Sequence, residues 1–398
     1  MKGAFRALLP GSVVVVAALI FLRVAPASDV ADIARTYGLV VYGAGIALAW
    51  VFHRSRAFIL LCILVWIDIA VVNEPDGGQL VQALGTVVLA LLAALALTRD
   101  RGVASRVGVV QVFAASVLAA LGAVYFRSAD RVARFAVPAD EASPYLLWQA
   151  YPAPTLLVAA VAFLAVVYGF WRYRGPIERS FVWCVILLPM AMHPDAGAHG
   201  SALFLMATGL TVTLGVVETS YVMAYRDELT GLPGRRALME YLDGVQGMYT
   251  VAMVDVDHFK KFNDQHGHDV GDQVLKLVAS RLARASGGAK AYRYGGEEFT
   301  LLYPGRTVDE AYAYVEEVRE AIGKTKFSLR SWRRPKKKPE SGRPAAKRSK
   351  SAPRTLTVKV SIGMADSGQG DSDRDAVLKR ADEALYRAKR GGRNKTVR

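Results

Sequence analysis

Thr250-Val251-Ala252-Met253-Val254-Asp255 is a short, nearly continuous apolar run that ends in an acid. A run of this length without polar alternation is typical of a central strand that other elements cover on both faces. From Arg226 onward, strand patterns of this kind alternate with amphipathic helix patterns. This part of the chain is therefore predicted to be an α/β domain with a central sheet flanked by helices.

The patterns that follow this run extend the same prediction. Ala291 to Tyr303 indicates two strands around a Gly-Gly turn, and the residues from Leu356 to Ile362 alternate like a half-buried strand. Apolar residues at helical spacing predict helices with inward faces at Val270, Val274, Leu277, Val278 and Leu282, at Ala311, Val315, Val318 and Ile322, and at Leu378, Ala381, Leu385 and Ala388.

The residues before about Tyr221 have a different composition. Hydrophobic residues make up 53% of the chain, and almost all of the long apolar runs lie in this part. Several runs approach the roughly 20 residues that cross a bilayer core. They lie near Leu8–Ala25, Tyr37–Phe52, Ala57–Val72, Leu80–Leu97, Val107–Phe126, Thr155–Trp171, Phe181–Met192 and Ser201–Val217. We predict a membrane all-α region of about eight transmembrane helices over residues 1–220, with a sensory or anchoring role. The second domain follows over residues 221–398.

Basic residues are distributed unevenly between these runs. The segments around 53–56, 99–106 and 172–179 are rich in arginine, whereas 73–76 and 193–195 are not. The positive-inside rule therefore places the N- and C-termini in the cytoplasm. Two alternatives remain open: the first run as a cleaved signal peptide, and Asp68 as either an intramembrane functional acid or a helix-end acid near the outer surface.

The cysteines and the net charge exclude some classes of function. The only cysteines, Cys62 and Cys184, each lie in an apolar run, so neither a disulfide framework nor a Cys-based metal site is expected. The net charge of +15 looks like a nucleic-acid signal, but about +10 of it falls between Arg330 and Arg354. Nucleic acid is therefore not an expected partner of the whole chain.

Two acidic sites lie at element ends of the α/β domain. Asp255-Val256-Asp257 ends the apolar run, and Glu297-Glu298 follows two glycines at a predicted hairpin tip. If the strand and the hairpin are neighbours, their carboxylates converge. Mg²⁺ prefers one or two carboxylates together with substrate and water oxygens, so these acids are candidate metal ligands. Taken singly, either site could equally be a turn or a helix cap.

Arg293-Tyr294-Gly295-Gly296-Glu297-Glu298-Phe299 resembles the signature of the GGDEF diguanylate cyclases, in the variant with Glu at the third position. Four further stretches resemble the same family in the same order. They are Asp227 to Arg236, Asp255 to Asp272, Val360 to Gly363, and Ala381 to Asn394. The resemblance covers about 170 residues and none of the membrane region.

The resemblance implies a role for each matching residue. As catalytic residues it implies Glu297, Glu298 and Asp255; as metal ligands Asp255, the carbonyl of Val256 and Glu297; and as GTP-binding residues Asn263, His268, Asp272, Phe259, Lys260, Gly295, Gly296, Lys389 and Arg393. Asn263 and Asp272 would read the guanine edge, and Lys389 and Arg393 would neutralise the triphosphate. The implied cofactor is Mg²⁺, with Mn²⁺ as an alternative.

The sequence departs from the family at two places. Ser286-Gly287-Gly288-Ala289 stands where many members carry an Arg-x-x-Asp inhibitory site, so no product-inhibitory site is expected. A basic insertion occupies residues near 329–354. It is interpreted as a solvated disordered loop, as a tether to anionic lipid, or as a contact with nucleic acid or a protein partner.

These expectations lead to one main hypothesis and two rivals. The main hypothesis is a homodimeric, multi-pass diguanylate cyclase of the bacterial inner membrane that converts two GTP into cyclic di-GMP and two pyrophosphates. One rival is a catalytically inactive GGDEF-like nucleotide receptor or scaffold. The other is a transporter with a regulatory tail, which only Asp68 supports.

Overall fold

A computed structural model of the protein describes residues 2–73, 78–127, 151, 153–193, 196–328, 355–368 and 373–398. The basic insertion near 329–354 lies outside these residues, as does most of the segment from 128 to 154. The chain forms two compact units, Met1–Tyr221 and Val222–Arg398.

The first unit is helical. Its described helices are α1 (Lys2–Val24), α2 (Ala27–Val51), α3 (Ser55–Asn73), α4 (Gly78–Leu97), α5 (Arg106–Arg127), α6 (Ala153–Tyr173), α7 (Pro176–Met192) and α8 (Gly197–Tyr225). A helix is thus present at each predicted apolar run. Helix α8 has 29 residues and continues past the last residue of the unit, Tyr221.

Only some of these helices meet the length and hydropathy of a membrane span. Within the described residues there are three such helical segments, Asp32–Val51, Thr155–Tyr173 and His199–Tyr225. Shorter apolar helical segments occur at Pro10–Val24, Leu84–Leu97 and Arg106–Val117. The number of eight transmembrane helices therefore stays a prediction. Asp68, near the end of α3, is only 4% exposed.

The second unit contains a five-stranded sheet. Its strands are β1 (Tyr249–Val256), β2 (Lys290–Gly295), β3 (Glu298–Pro304), β6 (Val360–Asp366) and β7 (Thr396–Val397), in the order β2-β3-β1-β6-β7. All neighbours are antiparallel except β6 and β7. A separate pair joins β4 (Lys326–Ser328) to β5 (Thr355–Thr357). Strand β1 is therefore central, as its apolar run predicts.

Helices cover both faces of this sheet. The described helices are α9 (Arg235–Gly244), α10 (Phe259–His266), α11 (His268–Leu282), α12 (Val308–Lys324) and α13 (Arg374–Arg390). One core contains Val254 with apolar residues of α11 and α12, and the opposite core contains Val251 with apolar residues of α9 and α13. Because alternate residues of β1 enter the two cores, all eight of its residues are buried.

One predicted strand differs from the structure. The alternating residues from Leu356 to Ile362 do not form a single half-buried strand, because β5 ends at Thr357 and β6 begins at Val360 in the other sheet. The first six residues of β6 are all buried, since α12 and α13 pack on it. In the predicted helix after β1, Leu277 is only half-buried and Leu275 takes an inward position. The inward faces predicted for α12 and α13 are buried.

Candidate active site

The hairpin tip lies beside the end of β1. Asp255 is the direct antiparallel partner of Glu298, and the Val256 amide donates to the Glu297 carbonyl at 3.4 Å. Gly296 has a φ of +45°, in the left-handed region that favours glycine. The pairing between β2 and β3 shifts register after Arg293, so the tip is a bulged turn. The two acidic sites predicted to converge are thus adjacent.

Lys389 faces Asp255 from the last turn of α13. Its Nζ lies 2.8 Å from Asp255 Oδ2, and Asp255 is 6% exposed. Burial raises the pKa of the Asp255 carboxyl, and the hydrogen bond and charge of Lys389 oppose that shift only in part. Arg393, just beyond α13, also lowers this pKa by its charge. The structure therefore brings Lys389 and Arg393, the two cations predicted to neutralise the triphosphate, close to Asp255.

The two glutamates of the tip are also perturbed. Burial and the negative charge of Asp255 raise the pKa of Glu297 and that of Glu298. Three carboxyl groups therefore share one end of the sheet with the Lys389 ammonium, and the acids are in surplus. An acidic surplus of this kind favours a bound cation, which would relieve the repulsion between the carboxylates.

The donor set fits Mg²⁺. Among the described residues, no three His, Cys, Asp or Glu side chains cluster like a complete protein cage. Asp255 and Glu297 instead supply two hard carboxylates, and the Lys389 ammonium already lies in contact with the more buried one. Mg²⁺ takes one or two protein carboxylates and completes its shell with water and phosphate oxygens. The incomplete set is therefore what Mg²⁺ needs when a nucleotide supplies the rest.

The predicted base-reading residues lie at α10 and α11. The Oδ1 atom of Asn263 is buried and has no hydrogen-bond partner within the described part of the chain. Gly271 lies against it, since a Cβ at Gly271 would come within 1.9 Å of this oxygen. Asp272 follows Gly271 and is exposed, as is His268 at the start of α11. Asn263 and Asp272 are thus neighbours through Gly271.

A cavity of 350 Å³ opens at the start of α10. Phe259 and Arg393 line it, together with Val358 and Asn394. The amides of Phe259 and Lys260 belong to the first turn of α10, where N–H groups have no partner within the helix and can bind an anion. The structure places these predicted phosphate contacts at the end of the sheet where Asp255 lies.

Sequence analysis did not identify the residue that holds the hairpin tip. Arg293 Nη1 donates to both carboxylate oxygens of Asp227, at 2.8 and 2.9 Å, while Nε and Nη2 donate to the Gly296 carbonyl. Asp227 also accepts from the Thr230 amide and hydroxyl. Although burial raises its pKa, these hydrogen bonds lower it more, so the pKa of Asp227 lies below its usual range. Both residues were part of the motifs, but no sequence signal pairs them.

Asp257 does not join the acids at the hairpin tip but bonds to neighbouring segments of the unit. Its Oδ1 accepts from the Ser361 hydroxyl at 2.6 Å, and its Oδ2 accepts from the Asn394 amide at 3.0 Å. This acid therefore fastens the turn that carries Arg393 to strand β6. Both of its carboxylate oxygens therefore accept hydrogen bonds from within the unit.

Comparisons with known proteins place the second unit. Residues 224–337 and 342–395 match the family model described as diguanylate cyclase, GGDEF domain. The chain is 35% identical over 193 residues to response regulator PleD of Caulobacter vibrioides, which covers 46% of this chain and 37% of that protein. It is 36% identical over 189 residues to diguanylate cyclase DgcP of Pseudomonas aeruginosa, covering 45% and 24% respectively. The matched segments span well under two thirds of the length of these relatives.

A solved structure shows a similar region. The crystal structure of the coiled coil and GGDEF domain of DgcB from Caulobacter crescentus, in complex with c-di-GMP, has 31% identity and a TM-score of 0.37. The alignment covers 46% of this chain and 88% of that one. The family model includes every site residue described above.

Proposed function

We propose, since the second unit belongs to the GGDEF diguanylate cyclase family, that the protein joins two GTP molecules into cyclic di-GMP with release of two pyrophosphates. The observation that carries the proposal is the adjacency of Asp255 and Glu297 beside Lys389. A site that only binds nucleotide has no need of an acidic surplus at the phosphates, whereas a nucleotidyl transfer needs one to hold metal.

Each residue then has a step in the reaction. Asp255 and Glu297, with the Val256 carbonyl, would hold Mg²⁺ or Mn²⁺, which when bound polarises the α-phosphate and stabilises the attacking and leaving oxygens. Glu297 accepts the proton of the attacking 3′-hydroxyl, and Glu298 completes the acidic tip. Because the pKa of Glu297 is raised, its carboxylate is a better proton acceptor than an exposed glutamate.

Substrate binding uses three groups of residues. Gly295 and Gly296 let the backbone approach the nucleotide, because neither has a side chain. A Cβ at either position would project into open space, so no protein atom fills this side of the turn. Lys389, Arg393 and the amides of Phe259 and Lys260 neutralise the triphosphate.

Asn263 and Asp272 select guanine, with His268 at the border of the same site. A carboxylate at Asp272 accepts from the ring N–H and amino group of guanine, a donor pair that adenine lacks. The unpartnered Asn263 Oδ1 offers a further acceptor. A nucleotide donor that reaches this oxygen would remove the cost of a buried unsatisfied acceptor, about 1–3 kcal/mol.

The active form is a homodimer. The product has two identical phosphodiester bonds, so two GTP sites must face each other. The membrane region is proposed to hold about eight transmembrane helices in the bacterial inner membrane, with both termini in the cytoplasm. The three described segments with the length and hydropathy of a span support a membrane location for this region.

The proposed enzyme lacks the family's inhibitory charges. Ser286 and Ala289 occupy those positions, and Ser286 Oγ donates to Glu317 at 2.7 Å. Added cyclic di-GMP is therefore expected to leave the initial rate unchanged. The double variant Ser286→Arg, Ala289→Asp should gain inhibition if the fold otherwise matches the family.

The test is synthesis by the purified full-length protein in detergent. It is incubated with GTP and Mg²⁺ beside Glu297→Ala, with Glu383→Gln as a matched control because Glu383 is an exposed glutamate on α13. We expect cyclic di-GMP from the unmutated protein and the control, and none from Glu297→Ala. Tight GTP binding by a dimer that makes no product would support the receptor function instead.

A further inference from the structure

A polar cavity of 290 Å³ lies within the helical unit. It is formed where the start of α3, the connection between α4 and α5, and the start of α7 meet. Its charged lining consists of Arg54, Arg56, Arg99, Asp100 and Glu178. This is the end of the unit at which the arginine-rich connections lie, and none of these residues belongs to the proposed catalytic site.

Arg56 is the buried centre of this cavity. Its Nη2 donates to Glu178 Oε1 at 2.6 Å, and its Nε lies 3.1 Å from Asp100 Oδ2. All three side chains are no more than 6% exposed. The Nη1 group of Arg56 has no hydrogen-bond partner in the described part of the chain. A buried guanidinium with unused donors is costly, so a further negative charge in the cavity beside Arg56 would stabilise it.

The two acids do not balance the cavity. Asp100 Oδ1 accepts from the Ser55 hydroxyl and the Arg56 amide, and its other oxygen faces Arg56. Both carboxylates therefore interact with Arg56. Arg54 and Arg99 leave the lining with an excess of positive charge. The Arg99 guanidinium lies 5.6 Å from the centre of the Tyr173 ring, so it is placed at the cavity wall.

We propose that this cavity binds a phosphate group. Arginine guanidinium groups match phosphate oxygens in charge and geometry. Small-ligand pockets hold about 300–1,000 Å³, so this cavity suits a group of the size of a phosphoglycerol. The phosphate could belong to an anionic lipid headgroup, since basic pockets between helices at the cytoplasmic side of a membrane take such headgroups, or to a soluble phosphate ester.

The cavity touches the helix that runs past the end of the unit. Thr219 of α8 is part of the lining, and the preceding residue, Glu218, accepts from Arg179 Nη2 at 2.7 Å. Arg179 follows Glu178, the partner of Arg56. A bound phosphate therefore lies against α8 and next to the ion pair that fastens α8 to α7.

The test measures binding to the purified full-length protein in neutral detergent. Native mass spectrometry counts bound dioctanoyl phosphatidylglycerol, with dioctanoylglycerol as the lipid without phosphate and glycerol 3-phosphate as the soluble ester. We expect saturable binding of at least one phosphate compound, no saturable binding of dioctanoylglycerol, and a loss of affinity of about tenfold in Arg99→Gln. Binding of the lipid alone identifies a headgroup as the source, and equal affinity for glycerol 3-phosphate identifies a soluble ester.

Matched variants separate the cavity from general basicity. Arg101→Gln removes a neighbouring exposed arginine that does not line the cavity, and it should bind as the unmutated protein does. Arg99 is itself exposed, so its replacement should leave the fold intact, which gel filtration checks. The proposal is overturned if neither phosphate compound binds, or if Arg99→Gln and Arg54→Gln both bind with unchanged affinity. Because the readout is binding without GTP, its result is independent of whether the protein is a cyclase.

Discussion

The two units each contain a cluster of charged side chains around a buried charge, and the surplus in each cluster has the opposite sign. In the second unit, Asp255, Glu297 and Glu298 outnumber Lys389. In the first unit, three arginines outnumber Asp100 and Glu178. Like charges that lie close together repel one another, so a surplus of one sign favours a ligand of the other sign. The acidic cluster is proposed to bind a cation, and the arginine cluster is proposed to bind an anion.

The largest expected effect comes from a substitution in the acidic cluster. Asp255→Asn removes a carboxylate ligand and leaves Lys389 without its partner, so kcat/KM for cyclic di-GMP synthesis should fall by roughly 10³-fold. The measurement is the rate of product formation at saturating Mg²⁺. Glu383→Gln, an exposed acid on α13, should keep the full rate. A fall of less than tenfold in Asp255→Asn would show that this carboxylate does not hold metal.

The next largest effect is expected from a substitution in the arginine cluster. Arg56→Met leaves Asp100 and Glu178 buried and unpaired, which should lower the free energy of unfolding by about 3–5 kcal/mol. Arg179→Met is the comparison, because the pair of Arg179 with Glu218 is 16% and 37% exposed. This pair is more exposed than that of Arg56, so its loss should cost less, closer to the roughly 1 kcal/mol or less of a surface pair. The measurement is denaturant unfolding of the full-length protein in detergent. An equal loss of stability in Arg56→Met and Arg179→Met would contradict the larger contribution expected of the buried Arg56 cluster.

A smaller effect tests how the acidic cluster is held in position. Arg293→Lys cannot bridge Asp227 and the Gly296 carbonyl, because lysine lacks the planar fork. Displacement of Glu297 should lower kcat on the order of 10²-fold, with little change in KM for GTP. Arg306→Lys is the control, since Arg306 donates to the Gly287 carbonyl in the same unit and away from the acids. Equal effects of the two variants would contradict a positioning role.

The smallest effect is a dependence of stability on pH. The pKa of Asp255 is raised in the folded state, so the native protein holds a proton that the unfolded chain releases near pH 4. Without divalent ions, this group should stabilise the fold at low pH, and that contribution should be lost as pH rises from about 4 through the folded pKa. Unfolding curves of the unmutated protein and Asp255→Asn give the difference. If the unmutated protein instead became more stable relative to Asp255→Asn as the pH rises, the predicted direction of the pH dependence would be wrong.

Sequence patterns predicted the second unit well because they depend on local periodicity. The apolar run ending in Asp255 became the central buried strand, and the Gly-Gly turn became the hairpin tip. The interpretation of Leu356 to Ile362 was wrong in one respect, because alternation cannot show that the chain leaves one sheet after Thr357 and enters another at Val360. Helix packing on both faces, which buries β6, is a property of the tertiary structure.

The site was predicted only in part. Motif positions supplied Asp255, Glu297 and Lys389, but the clamp from Arg293 to Asp227 joins residues 66 positions apart, and no periodicity relates them. The arginine cluster was missed for the same reason, since Arg56 and Glu178 lie 122 positions apart and each looks like an ordinary charge near a helix end. Contacts between distant segments require the fold, whereas strands and helices can be predicted from neighbouring residues.

The close contact between Gly271 and Asn263 has a consequence for how this sequence can vary. A side chain at position 271 would meet Asn263 Oδ1 at 1.9 Å and the Phe259 ring at 3.2 Å, so the Asn263 side chain would have to move and the ring would have to shift slightly. The two positions should therefore covary: a homologue that replaces the glycine should also have replaced the asparagine. Under the proposed base-reading role of Asn263, such a double replacement in an alignment would mark a lineage with a changed choice of nucleobase.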